Sequence, residues 1–164
     1  MIRVYFHDMM SDKDNRIFWL LGDVVLVKVT AEETNGKYSV WEIKAAPQSG
    51  PPPHYHTNLD EGFYVLEGRF SFKYNENIVN AYAGSFVHVP RGAVHTYKNT
   101  GSDIGKLLVT GIPAGFENLF KELGIPIADE QSFTPPSDPY DIDKIVDISR
   151  KHGVIYSPAL KGQS

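Results

Sequence analysis

The amino-acid sequence predicts an all-β sandwich or barrel followed by two helices. Three observations carry this. Short aliphatic and aromatic runs recur with period-two alternation, turn residues punctuate them, and a helical period replaces them from Ala114 onward.

In chain order, Ile17–Thr30 is rich in Val, Leu and aromatics, with Gly22-Asp23 as an interruption. Asn35-Gly36 is the strongest short hairpin signal. Tyr38–Ala45 alternates Trp41, Ile43 and Ala45 against Val40, Glu42 and Lys44. Pro47–Pro53 is too proline-rich for a central strand and is expected to be a stiff loop. Phe63–Leu66, Arg69–Tyr74, Ile78–Tyr82, Ser85–Val89, Val94–Lys98 and Lys106–Ile112 complete the strands. The turns between them fall at Glu67-Gly68, Asn75-Glu76-Asn77, Ala83-Gly84, Pro90-Arg91-Gly92 and Thr100-Gly101-Ser102.

In Ala114–Leu123, residues Phe116, Leu119, Phe120 and Leu123 share one helical face, with Gly124 as an expected C-terminal cap. Gly124–Pro139 holds four prolines and reads as an irregular surface linker. Asp141–His152 reads as a second helix with Ile142, Ile145 and Val146 as its apolar stripe and Gly153 as its stop. Both helices are expected to pack on the barrel, a lid over a pocket being the alternative. Residues 1–113 and the extension 114–164 are expected to form one domain, since 164 residues suffice for one core but hardly two.

Composition excludes several classes of function. No apolar run approaches the roughly 18 residues of a membrane span, and the longest, Ile17–Val29, is broken by Gly22, Asp23 and Lys28. The first sixteen residues carry mixed charges and no apolar h-region, so a cytoplasmic protein is expected. There is no cysteine, which removes disulfides and thiolate chemistry. A net charge of −4 without a basic cluster argues against nucleic acid.

Any metal must therefore be held by His, Asp or Glu. His54 and His56 lie two apart, so on a strand they project to the same side, about 7 Å apart. Glu61 follows a short turn. His95 stands three residues beyond Gly92, heading a returning strand that can face the first pair. Three imidazoles and one carboxylate suit one divalent transition metal, whether Mn, Fe, Co, Ni, Cu or Zn, and leave positions open on a six-coordinate ion. His7, His88 and His152 are read as surface or structural histidines.

These residues resemble the cupins. His54, His56, Glu61 and Gly68 fit the first cupin motif, G-x5-H-x-H-x3-4-E-x6-G, except that Gln48 stands where its leading glycine belongs and Gly50 lies two residues on. Gly84, Pro90, Gly92, His95 and Asn99 fit the second, G-x5-P-x-G-x2-H-x3-N, in full. The resemblance implies a double-stranded β-helix, or jelly-roll barrel, with His54, His56, Glu61 and His95 as metal ligands. Trp19–Asp23, Pro51–His54, Phe63–Gly68 and Gly115–Gly124 further resemble a subgroup of single-domain cupins called quercetin-dioxygenase-like.

That subgroup implies oxygenolytic cleavage of a flavonol or related aromatic by O2, with Glu61 as both ligand and general base. Pocket walls would then be aromatic or aliphatic. Phe63 and Val65 share the face of Glu61, Tyr97 shares the face of His95, and Trp41, Phe72 and Phe86 are further wall candidates; ordinary core packing is the alternative for all six. Another small-molecule reaction such as isomerisation, a different oxygenation, and a non-catalytic metal- or ligand-binding cupin are the other readings. A homodimer through apolar N-terminal edge strands is expected.

Overall fold

Ile17–Leu20 (β1) and Asp23–Val29 (β2) fold back on each other around Leu21-Gly22, whose positive φ angles of 52° and 96° reverse the chain. The structure, a computed structural model, describes residues 16–128, 134 and 141–157; His7 lies outside them. β2 pairs next with Ser39–Ala45 (β3). Asn35-Gly36 does mark this connection, but not as a two-residue hairpin turn. Ala31–Thr34 (α1) is a helical turn between the strands, and Asn35 at φ 52° ends it. The Glu33 carboxylate accepts from the Thr30 N–H at 2.8 Å and from Thr30 Oγ1 at 3.1 Å, a cap that favours a helical start there.

The remaining strands are His54–His56 (β4), Asp60–Glu67 (β5), Arg69–Tyr74 (β6), Asn77–Tyr82 (β7), Phe86–Val89 (β8), His95–Asn99 (β9) and Gly105–Ile112 (β10). They form two antiparallel sheets with two short later strands, Ile125–Pro126 (β11) and Val154–Tyr156 (β12). One sheet runs β11-β1-β2-β3-β10-β5-β8 and the other β12-β4-β9-β6-β7. Trp41, Phe63, Val65, Leu107 and Val109 from the first meet Phe70, Phe72 and Tyr97 from the second in a shared core. The Phe63 and Phe72 rings, one from each sheet, lie 5.3 Å apart edge to face.

The C-terminal third departs from expectation in its boundaries. Helix α2 covers Glu117–Leu123, starting three residues late because Gly115 turns the chain at φ 119° and Glu117 accepts the Gly115 N–H. Gly124 is not a left-handed cap. It is extended at φ −73° and leads straight into β11, which pairs with β1 inside the stretch read as linker. Helix α3, Ile142–Lys151, is capped by Asp141, whose carboxylate accepts from the Asp143 and Lys144 N–H groups. Its buried residues are Ile145 and Ser149, whereas Ile142 is 74% exposed, so the apolar stripe is narrower than the sequence suggested. Gly153 stops the helix at φ 80°, and β12 then pairs with β4 in the register Val154↔His56 and Tyr156↔His54. No helix among the described residues is long and apolar enough to cross a membrane.

Candidate metal centre and pocket

The centre forms where two short strands and one long one meet. On β4, the burial pattern turns His54 and His56 inward and leaves Tyr55 between them on the other face. His95, the first residue of β9, is the register partner of His54. Glu61 on β5 comes from the opposite sheet, paired with Val89 and Gly111. The turn before His95 is anchored on both sides. The Gly92 N–H donates to the His56 carbonyl at 2.7 Å, and the Arg91 N–H donates to Asp60 Oδ1 at 2.8 Å.

One ligand atom from each of His54, His56, Glu61 and His95 lies within 4.8 Å of all the others, and all four residues are buried. The histidines are oriented from behind. His54 Nδ1–H donates to the Pro52 carbonyl at 2.8 Å and His95 Nδ1–H to the Ala93 carbonyl at 3.0 Å, so in the neutral rings Nε2 carries the lone pair. Burial, reinforced by the charges of His95 and His56, pulls the His54 pKa down to about 3 and keeps it neutral. Burial also pushes His95 down, but its hydrogen bond to Glu61 and the Glu61 charge outweigh that and raise it. For Glu61 burial favours the neutral acid, yet His56 and His95 together hold it well below the usual carboxylate range.

These groups fit a cation. His56 Nε2 stands 2.9 Å from Glu61 Oε2 but makes no directed hydrogen bond, and neither ring nitrogen of His56 has a hydrogen-bond partner although both are buried. His95 Nε2 stands 3.0 Å from the same oxygen. With Nδ1–H committed to Ala93, His95 can face that carboxylate only by carrying a second proton or by sharing a cation with it. A thiolate-free set of three imidazoles and one carboxylate suits a borderline divalent metal.

The centre opens into a cavity of about 100 Å³ between the sheets and α2. Of the six residues expected as walls, Trp41, Phe63 and Tyr97 line it. Val65 and Phe72 are buried in the core and do not reach it. Phe86 is not a wall: it is 62% exposed on the outer face, opposite Tyr64 in the β5–β8 register, and its ring covers Gly62. The inward residue of that pair of strands is Val87, opposite Phe63. Of the set-aside histidines, His88 is exposed on β8, and His152 lies 2.8 Å from Glu122 through Nε2.

Other wall residues escaped sequence reasoning. Phe116, just before α2, and Leu119, Phe120 and Leu123 of α2 close one side, and the Phe116 ring stands 5.0 Å from His56 and 5.4 Å from Trp41. Tyr156 of β12 lies 6.2 Å from His54, ring to ring. Asp23 had read only as a turn residue, but it is 5% exposed and lines the cavity. Its carboxylate accepts from Ser49 Oγ and, at 3.0 Å, from the Tyr97 hydroxyl. The helical period of α2 was visible in sequence; nothing local announced β12 or the inward turn of Asp23.

Residues 41–111 match the cupin domain family. Among curated proteins the chain is similar to quercetin 2,3-dioxygenase of Bacillus subtilis, 32% identical over 108 residues, which is 65% of this chain and 32% of that protein. It is also similar to an uncharacterized protein of Aquifex aeolicus, 36% identical over 62 residues, or 38% of this chain and 50% of that one. The chain thus spans a third to a half of the length of these relatives. Among solved structures, a predicted oxalate decarboxylase from Thermotoga maritima superposes with a TM-score of 0.54 at 25% identity, covering 56% of this chain and 80% of that one. The fold, the motif residues drawn into one buried centre and the family match agree: residues 41–111 form a cupin domain.

Proposed function

We propose that this cupin is a metal-dependent oxygenase of small aromatic substrates that carry an acidic ring hydroxyl. The observation behind this reading is the four-donor centre opening into an apolar, aromatic-walled cavity that no Lys or Arg lines among the described residues. Flavonol cleavage is the specific form that the likeness to quercetin 2,3-dioxygenase supports.

His54, His56, Glu61 and His95 would hold the ion. A bound divalent metal supplies a Lewis-acid and redox centre at which an enol or phenol and O2 meet. Glu61, ionised between His56 and His95, would accept the hydrogen bond of the substrate hydroxyl and serve as the base that takes its proton. Phe63, Trp41 and Phe116 confine the ring against the centre and exclude water.

The test is O2 uptake and substrate loss with the protein loaded in turn with Mn, Fe, Co, Ni and Cu. Quercetin, followed by its absorbance, and single-ring hydroxypyranones and catechols are the substrates. O2 consumed in proportion to one of them is expected. No uptake with any metal and substrate contradicts the oxygenase reading, and no bleaching of quercetin contradicts its flavonol form.

A further inference from the structure

The cavity is small, and its wall is fixed. About 100 Å³ is of the order of the roughly 150 Å³ that takes one benzene ring in an engineered apolar cavity, and well below the roughly 300–1,000 Å³ of pockets for drug-sized ligands. Its movable side would be α2, but α2 is tied down. Glu117, 1% exposed, accepts the Ala31 N–H at 2.6 Å and the Gly115 N–H at 3.0 Å. Swinging the helix away would strand a buried carboxylate and leave two part-buried donors without their acceptor. Phe120 also packs on Trp41 at 5.5 Å, and Lys151 of α3 holds Glu122 of α2 at 2.9 Å.

The cavity is polar at two ends. One is the metal centre. The other is Asp23, the ionisable lining group outside the centre apart from the two tyrosines. Tyr97 links the two ends. Tyr97 stands two residues beyond His95 on β9, a step of about 7 Å along the strand, and its hydroxyl donates to Asp23 Oδ2. The Phe63 ring stands 6.1 Å from both the His95 and the Tyr97 rings, edge-on to each.

We propose that the cavity selects a single-ring aromatic which meets the metal centre with one edge and donates a hydrogen bond from the opposite edge to Asp23. This rests on the oxygenase reading but narrows its substrate from a three-ring flavonol to one ring. A carboxylate offers about four acceptor sites, and Ser49, Tyr97 and the Ala46 backbone take three. Asp23 lines the cavity, and an ionised carboxylate only accepts. The ligand must therefore bring a hydroxyl or amine there, and a negative group is repelled. Ser49 and Tyr97 hold the carboxylate in place before the ligand arrives, so the site discriminates without rearranging.

The experiment uses the zinc-loaded protein, in which binding is read without oxygen chemistry, with zinc content checked after each titration. The probes are kojic acid and allomaltol, hydroxypyranones with the same chelating edge that differ in one far-edge hydroxyl, and quercetin, which carries that chelating edge in a three-ring frame. Kojic acid is expected to bind about 10-fold or more tighter than allomaltol, and both tighter than quercetin. Asp23→Leu is expected to bring the ratio to within about 3-fold by weakening kojic acid alone. Asp23→Asn, which keeps the shape and one accepting oxygen, reads the same ratio at an intermediate value if Asp23→Leu does not fold. Equal affinities for the two hydroxypyranones in the wild type overturn the proposal, as does a ratio unchanged in the Asp23 variants. Quercetin binding tightest and being consumed with O2 overturns the single-ring claim while sparing the oxygenase. Failure of every probe to bind overturns both.

Discussion

His54 and His95 are register partners across β4 and β9, and their rings stand 4.4 Å apart. That pair is the single rung joining the two strands, so the contact that builds the centre also holds this part of the sheet. Without an ion, three buried imidazoles and a carboxylate are packed at a place where strand pairing is thinnest.

Metal should therefore stabilise the fold. A ligand at a hundred times its Kd adds about 2.7 kcal/mol, which for a chain of this size raises Tm by roughly 5–10 °C. Thermal unfolding with and without a chelator checks this, and His54→Ala should abolish the metal-dependent shift.

Asn99 should prove structural. Fully buried, it donates from Nδ2 to the Ala45 and Asp103 carbonyls at 2.9 and 2.8 Å and accepts the Gly101 N–H at 2.9 Å. Asn99→Ala leaves all three groups unpaired and should cost roughly 2–4 kcal/mol in chemical denaturation, with metal content of the folded variant unchanged.

Gln48 occupies the left-handed region at φ 66°, where the cupin motif has glycine. The loop has kept the glycine conformation with a side chain in place, its N–H donating to the Asn99 carbonyl at 2.9 Å. Left-handed backbone costs a non-glycine residue roughly 1–2 kcal/mol, of which a glycine's extra unfolded-state entropy offsets part. Gln48→Gly should then raise stability by about 0.5–1 kcal/mol in urea unfolding. Gly50→Ala should do the opposite, since a Cβ there would stand 1.9 Å from the Tyr97 carbonyl oxygen.

Asp23 should leave a pH signature. Burial raises its pKa from 3.8 to about 6, against the hydrogen bonds from Ser49, Tyr97 and Ala46. Between pH 4 and 6 the folded state then binds a proton that the unfolded state has released, so stability falls as pH rises through that window, by about 3 kcal/mol. Asp23→Asn removes this fall. Relative to the wild type, the metal-free variant should gain about 2–3 kcal/mol on going from pH 4 to pH 7 in urea unfolding. Parallel pH curves contradict the assignment.

The strands and the centre were legible because both depend on short-range pattern. Period two turned His54 and His56 the same way and placed Phe63 with Glu61 and Tyr97 with His95. Phe86 was misplaced because β8 is only four residues long and partly exposed on both faces, so composition could not tell which face Val87 took and which Phe86. Ile142 was misplaced because a residue beside the N-cap can fit a helical period without meeting a neighbour. β11 and β12 depend on long-range pairing with β1 and β4, which no local signal carries. Asp23 read as punctuation because Gly22-Asp23 suits a turn; its inward side chain follows from the β1–β2 register and its partners Ser49 and Tyr97, distant in sequence.

The central claim is that His54, His56, Glu61 and His95 hold one metal ion, and elemental analysis of the loaded, desalted protein tests it most directly. Close to one transition-metal ion per chain is predicted for the wild type, and little or none for a folded His54→Ala, His95→Ala double variant. A wild type that retains no metal, or a double variant that retains as much as the wild type, would contradict it.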